Sequence, residues 1–400
     1  MKKRIRITQL EVGMFVDADE GAGAGKRALK ERLITNEEQI KQLRAAGLSR
    51  VTIDTERGKG LPPKPVVPKA VQEPRAKSLP AGRKVAYRDE LKKARATRTA
   101  VGKALKGVME SVALGGSMDR AKLDVAGKLI AQSVFRNADA MVGLTRIKEH
   151  DPYTATHCVN VCVLVLAIAH AEGISESEAE MLATAALLHD IGKTRVPLEV
   201  LNKPGRFEPY ELAEMRKHTV YGEDVLKDMP RMTDEILYIA TQHHEMFNGS
   251  GYPHKLSGEQ IHRFGQMTAV ADVYDALTSA RVYKPALPPN FALGRIYGNR
   301  DAEFRSDVVD LFVKSLGLYP VGSLVVLNTG EIGVVCEPNP EDSRRPKVGV
   351  LISRYKKRRL VPVVADLADA HASEDRQIVK VLDPVKYNID VEKVLKMTGG

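Results

Sequence analysis

The apolar positions of this chain change their period along its length, and each change marks a new element. Ile5 and Ile7, then Leu10 to Val16, read as strands; Asn36 to Ala46 carries a helical period; Val51-Thr-Ile53 returns to a strand. Residues 84–140 are rich in Ala, Lys and Leu and break at Gly115-Gly116, which predicts two helices. Further on, Val159 to Ala169 is apolar almost all round, as in a helix buried on every side. Within it His157, Val161, Leu164 and Ile168 follow i, i+4, i+7, i+11 spacing, so the histidine falls on the inner face. Small and apolar residues from Ala183 to Lys193 predict a second buried helix, with Gly192 as its natural end. After Tyr319-Pro320 the period drops to two. Ser323 to Leu327, Ile332 to Val335, Val348 to Ile352 and Leu360 to Val364 then read as short strands.

These changes divide the chain into five segments. Residues 1–58 form a small α+β module, 59–84 a basic Pro-rich linker, 85–140 a helical connector, 141–319 an all-helical domain, and 320–400 a β-rich extension. The fold class expected is therefore mainly α. At 400 residues and 43% hydrophobic the chain can bury a large core. The net charge of +10 is local: residues 57–106 hold fifteen Lys or Arg against three acids, while 146–400 hold 31 basic and 35 acidic residues. Six prolines between Leu61 and Pro80 suit an extended linker, and no aromatics interleave its cations, which disfavours nucleic acid as a partner. Gly21-Ala-Gly-Ala-Gly25-Lys26 lacks the spacing of a phosphate loop and reads as an ordinary loop. The run Val161 to Ala169 is half a membrane span, and no signal region follows the basic start, so a cytoplasmic protein without a membrane span is expected. Cys158, Cys162 and Cys336 have no metal-ligand spacing and read as buried free thiols.

Chemistry concentrates in the middle. Nine of the ten histidines lie between His150 and His262. A single histidine on an apolar helix is usually a core residue. Here His157, His189-Asp190, His218, His243-His244 and Asp272 follow in order, and neutral imidazole beside carboxylate is a donor set for Fe, Mn or Zn. The pattern His157, His189-Asp190, Asp272 resembles that of the HD metal-dependent phosphohydrolases. With His218, His243-His244-Glu245, the loop Asn248 to Pro253 and the closing Arg281-x-x-Lys284, the match extends to the HD-GYP subclass, which hydrolyses cyclic di-GMP. It covers roughly residues 141–319, and Ile34 to Thr55 resembles a module often fused to such domains.

The resemblance implies an HD-type helical bundle and a set of roles. His157, His189, Asp190, His218, His243, His244 and Asp272 would bind two divalent metal ions, Fe or Mn, with Asp190 bridging them and acting in catalysis. His218, His243 and His244 would gather on one ion. Lys193 would face the scissile phosphate, Arg281 and Lys284 would hold the dinucleotide, and Gly251, Tyr252 and Pro253 would shape the pocket. Glu245 would orient a ligand histidine through its second nitrogen. Asn248 replaces the family's frequent Asp, and both suit the turn. Tyr153 stands where three-metal members carry Glu, which favours two ions. Arg281 and Lys284 could reach the site only if the helix of Asp272 ends or bends near Thr278-Ser279.

The implied function is a metal-dependent phosphodiesterase of bacterial second-messenger signalling. It would use a metal-bridging hydroxide to cut cyclic di-GMP to linear pGpG, GMP or both. The alternatives are an HD phosphohydrolase for another nucleotide and a low-activity signalling adaptor, against which the complete ligand set argues. Protein signalling partners and a homodimer are both compatible with the sequence.

Overall fold

In the N-terminal part, alternation and one helical repeat build a small sheet. The structure, a computed structural model, describes residues 2–7, 10–17, 31–45, 50–55, 57–58, 85–147, 153–227, 229, 232–279, 286–339, 341–369 and 375–399. It divides into two units, residues 1–64 and 65–400, each taken here by itself. The glycine-rich loop from Gly21, the linker 59–84 and the pair Arg281 and Lys284 lie outside the described residues.

In the first unit β1 (Lys2–Arg6), β2 (Phe15–Val16), β3 (Arg32–Leu33) and β4 (Arg50–Asp54) form an antiparallel sheet in the order β1-β4-β2-β3. The side chain of Asn36 accepts from the N–H of Gln39 at 3.0 Å and opens helix α1 (Glu37–Ala45). That helix drops Ile40 and Leu43 onto Ile5, Val16, Val51 and Ile53. The stretch Leu10 to Val16 yields a strand only at Phe15–Val16, because the chain turns at Gly13, whose φ is 94°.

The second unit opens with a helical hairpin, α2 (Tyr87–Ala113) and α3 (Arg120–Leu144), turning through Gly115 at φ 77°. Buried Glu90 ties the pair, accepting from Ser133 Oγ at 2.7 Å and from two guanidinium nitrogens of Arg136 at 2.8 Å. Leu105, Leu123 and Ile130 of this hairpin share one core with Leu164, Leu182 and Ile239 of the following helices. Helix α4 (Tyr153–Glu172) runs through that core. Its stretch Thr154–Glu172 has the length and apolarity of a membrane span, but 78% of it is buried by protein, as a core helix would be.

Helix α5 (Glu176–Leu187) starts with the reciprocal Ser175 and Glu178 capping box. It stops at Leu187, before the His-Asp pair, so Gly192 is not its end. His189 and Asp190 lie in a turn leading to a 3-10 segment, Ile191–Arg195. Gly192 serves a different need: a Cβ there would collide with the carbonyl of His218 and the backbone of Gly222. Backbone contact at that point sets the start of a later helix against the His-Asp turn. Short helices α6 (Leu198–Leu201) and α7 (Pro209–Arg216) lead to α8 (His218–Lys227) and α9 (Asp234–Gln242). Then follow α10 (Arg263–Thr278), α11 (Pro289–Gly298) and α12 (Ser306–Leu316).

The C-terminal strands are β5 (Leu324–Leu327), β6 (Ile332–Glu337), β7 (Lys347–Ile352), β8 (Arg358–Asp366) and β9 (Ile378–Leu382), in the order β8-β7-β6-β5-β9. Alternation sorts their side chains: Leu324, Val334 and Leu351 join the large helical core, while Val325, Val335 and Val350 form a small core of their own. Helix α13 (Val391–Met397) adds Val394 and Leu395 to the large core. The fold is mainly α, with a small α+β module before the bundle and a β-rich extension after it.

Candidate metal centre

The histidines and acids gather because the ends and inner faces of four helices meet at one point. His157 comes from the inner face of α4 and Asp272 from α10. His189 and Asp190 come from the turn after α5, and His218 is the first residue of α8. His243 caps the end of α9, and His244 follows it. His157, His189, Asp190, His218, His243 and Asp272 are buried, and His244 is partly so.

Four of the five histidines are oriented by their Nδ1. That atom meets Asp275 Oδ2 at 2.8 Å in His157, Ala186 O at 2.8 Å in His189, Met215 O at 2.7 Å in His218 and Ile239 O at 3.0 Å in His243. An acceptor at Nδ1 fixes the proton there and leaves the lone pair on Nε2. Three of these acceptors are backbone carbonyls, so the local chain path sets the ring directions.

Two triads result, each with ligand atoms within 4.8 Å of one another: His218, His243 and His244, and His157, His189 and Asp272. Asp190 lies between them. Its Oδ1 is 3.4 Å from His218 Nε2 and 3.8 Å from His243 Nε2; its Oδ2 is 3.4 Å from His189 Nε2 and 3.7 Å from His157 Nε2. Asp272 Oδ1 is 3.0 Å from His157 Nε2, and its Oδ2 is 3.8 Å from His244 Nδ1. Burial pushes the pKa values of His218, His243 and His244 down, so these rings stay neutral. Burial works against the charge on Asp190, but Lys193 and His189 outweigh it and hold the carboxyl well below its usual range. On His157 burial is likewise outweighed, by hydrogen bonds to Asp272 and Asp275, and its pKa rises to about 9.

Divalent cations fit this donor set. Among the described residues the buried Nε2 of His189 and Oδ1 of Asp190 have no hydrogen-bond partner, and buried polar atoms seldom remain so without a ligand. The neutral rings of His218, His243 and His244 and the ionised carboxylates are what such ions require, and an ion at His157 would have to displace the proton that Asp272 and Asp275 favour there.

The remaining sequence-predicted residues fall into three groups. Lys193 Nζ ion-pairs with Asp190 Oδ2, one helical step from it. The loop from Asn248 is held by its own turn, Asn248 Oδ1 accepting from the Ser250 N–H at 3.0 Å. Gly251 has no room for a Cβ, which would strike the backbone of His244, Glu245 and Met246. Tyr252 stacks on His244 with ring centroids 4.7 Å apart, and Pro253 follows it. Glu245 does not orient a ligand histidine, contrary to expectation. Its carboxylate accepts from the N–H groups of His254 at 2.7 Å and Leu256 at 3.1 Å, and so anchors the loop. Tyr153 opens α4, and its side chain lies outside the described set.

Two residues were missed. Asp275 orients His157 and is itself held by Asn160 Nδ2 at 2.9 Å. Both lie one helical turn past a ligand, at Asp272+3 and His157+3, which is the signal that would have found them. Cys158 is the buried free thiol expected, and its Sγ is within 4.8 Å of ligand atoms of His189 and Asp190. Burial and the nearby acids push that thiol well up, so it stays protonated.

The bundle and its site match the HD domain over residues 129–307, which sets the class. Residues 2–123 match a domain of unknown function (DUF3391), and residues 324–389 a KOW domain associated with the HD domain. The chain is 34% identical to a cyclic di-GMP phosphodiesterase of Pseudomonas aeruginosa, covering 92% of this chain and 90% of that protein. It therefore belongs to the HD-GYP family of metal-dependent phosphodiesterases. Two partial relatives are a 3′3′-cGAMP-specific phosphodiesterase of Vibrio cholerae (36% identical, 45% of this chain, 37% of that one) and a cyclic di-GMP phosphodiesterase response regulator of Xanthomonas campestris (39% identical, 37% and 39%). A solved HDGYP protein of Bdellovibrio bacteriovorus aligns at TM-score 0.48 and 18% identity, over 78% of this chain and 99% of that one.

Proposed function

We propose that this chain hydrolyses cyclic di-GMP to linear pGpG, GMP or both, with two divalent ions, Fe or Mn, held by the two triads and shared through Asp190. The observation that carries the reading is the placement of Asp190, one oxygen toward each triad. The near full-length likeness to a cyclic di-GMP phosphodiesterase supports the substrate. When bound, such a pair of ions supplies water ionised near neutral pH and neutralises charge growing on the phosphate.

The chain's own residues supply the rest. His157, His189 and Asp272 would hold one ion, and His218, His243 and His244 the other, with Nδ1 partners keeping the rings of His157, His189, His218 and His243 from turning away. Lys193 is a charge donor, not a base: Asp190 and Asp272 outweigh burial and hold its pKa above the ordinary value. Its side chain keeps 21% exposure, enough to meet a phosphate oxygen entering from solvent. Tyr252, stacked on His244, walls the entry. Arg281 and Lys284 would add contacts to the dinucleotide, and α10 ends at Thr278, before either of them. The activity belongs in the bacterial cytoplasm, where it would lower a second messenger. A second reading, hydrolysis of 3′3′-cGAMP, is favoured by the likeness to the Vibrio cholerae enzyme named for that substrate.

The test is to load the purified protein anaerobically with Fe or Mn and offer it a panel of cyclic dinucleotides, separating products by chromatography. Cyclic di-GMP should be cut fastest. Preference for 3′3′-cGAMP would select the second reading, and an inert, fully loaded protein would overturn both.

A further inference from the structure

Arg216 is the last residue of α7, and its guanidinium carbon stands 5.0 Å from the ring centroid of Tyr252. Tyr252 in turn stacks on His244 at 4.7 Å and lies edge-on to His218 at 6.4 Å. The backbone beside Arg216 is tied to the same triad: the carbonyl of Met215 accepts from His218 Nδ1 at 2.7 Å, and that of Arg216 accepts from Thr219 Oγ1 at 3.1 Å. Two separate tethers thus fix a cation one aromatic ring away from two candidate metal ligands, His244 and His218.

Its charge is available. Among the described residues Arg216 makes no ion pair, and its side chain is exposed. Lys193, by contrast, already pairs with the carboxylate of Asp190. Other arginines of this unit do find carboxylates: Arg263 pairs with Glu172 and Asp307, Arg300 with Asp310, and Arg305 with Glu259 and Asp307. An unpaired guanidinium held over an aromatic at the mouth of a phosphodiesterase site suits an anion brought by the substrate.

We infer that Arg216 binds the phosphodiester of the cyclic dinucleotide that is not being attacked, an inference that rests on the proposed function. In a cyclic dinucleotide the second phosphate lies across the macrocycle from the first. Its partner must therefore stand beside the metal ligands and not among them, as Arg216 does. The guanidinium stands over the Tyr252 ring, and the Arg216 side chain is exposed, so a ligand can reach it from solvent. The contact is the same in ground and transition states, because that phosphate does not react, so its loss acts on binding.

The experiment uses the metal-loaded full chain and its Arg216→Ala and Arg216→Lys variants. KM and kcat are measured on cyclic di-GMP at two ionic strengths. Affinity is measured separately for a non-hydrolysable phosphorothioate analogue, with metal content determined in parallel. Arg216→Ala should raise KM and weaken analogue binding by on the order of 10-fold, and lower kcat far less, the scale of one charge-assisted hydrogen bond. Arg216→Lys should recover part of the loss, and added salt should narrow the gap between parent and Arg216→Ala. With bis(p-nitrophenyl) phosphate, which has a single phosphodiester, the rise in KM should be much smaller. An active parent with unchanged KM and analogue affinity in Arg216→Ala would overturn this inference alone. So would loss of metal, or an equal fall with both substrates, since either marks a structural role through Tyr252. A loaded parent inert toward every cyclic dinucleotide would overturn the proposed function and this inference with it.

Discussion

Asp190 and Lys193 are one ion pair to which the proposed function gives two separable tasks, and substitution should tell them apart. Asp190→Ala removes the carboxylate that lies between the two triads, one oxygen toward each, so hydrolysis and stable metal retention should both be lost. Lys193→Ala should leave metal content intact and lower turnover by on the order of 10²–10³-fold, the scale of one transition-state donor. Parental turnover in Lys193→Ala would remove that residue from the reaction. Asp275 acts one step further out: it fixes the ring of His157 from behind and is itself pinned by Asn160. Asp275→Asn should weaken metal binding by about 10–100-fold, as loss of such an outer partner does, with little change in thermal stability. Titration of the stripped protein with Mn, followed calorimetrically, reads this directly; parental affinity would make Asp275 an ordinary core acid.

At the scale of elements, the α2–α3 hairpin hangs on a buried acid. Glu90 has no exposure and accepts from Ser133 and Arg136, while Arg136 keeps about a third of its surface. Burial raises the pKa of Glu90, but the bonds from Arg136 and Ser133 outweigh it and the net shift is downward from 4.5. A depressed carboxyl stabilises the fold above its unfolded pKa, and that contribution fades as pH falls through the folded value. Glu90→Gln should therefore cost about 2–3 kcal/mol near pH 7, less than a fully buried pair because Arg136 can rehydrate. The gap between parent and variant should shrink below pH 4.5. Urea unfolding at both pH values measures it, and a gap that is the same at both would refute the account. The helices themselves were legible in sequence because their apolar period is strong, and the ligands because their residue types are rare and ordered. What stayed hidden depended on contacts between distant segments. Gly192 reads locally as a helix end, yet its lack of a Cβ answers to His218 and Gly222. Glu245 reads as a histidine's partner, yet two loop N–H groups nine and eleven residues on claim it. Strand β9 pairs with β5 across fifty intervening residues, which local alternation does not reveal.

For the whole larger unit, the metal centre is also a cross-link. Its seven candidate ligands span residues 157 to 272 and come from α4, the turn after α5, α8, the end of α9 and α10, which otherwise meet mainly through apolar contact. In the unfolded chain these donors are scattered, so ions that bind only the folded form add RT ln(1 + [L]/Kd) to its stability. That is about 2.7–4.1 kcal/mol per site at 100–1,000 times Kd. Metal should therefore raise the melting temperature of this unit by several degrees, with about two ions bound per chain by elemental analysis. One ion per chain after careful loading would refute the shared site; three would refute the argument drawn from Tyr153. The control is Asp190→Ala, which lacks the shared carboxylate and should melt at nearly the same temperature with and without metal. Calorimetry of parent and variant, each stripped and reloaded, separates a structural cross-link from a nonspecific salt effect. If stripping left the parent's transition unmoved, these ligands would be serving the reaction alone and the bundle would hold its shape by its apolar core.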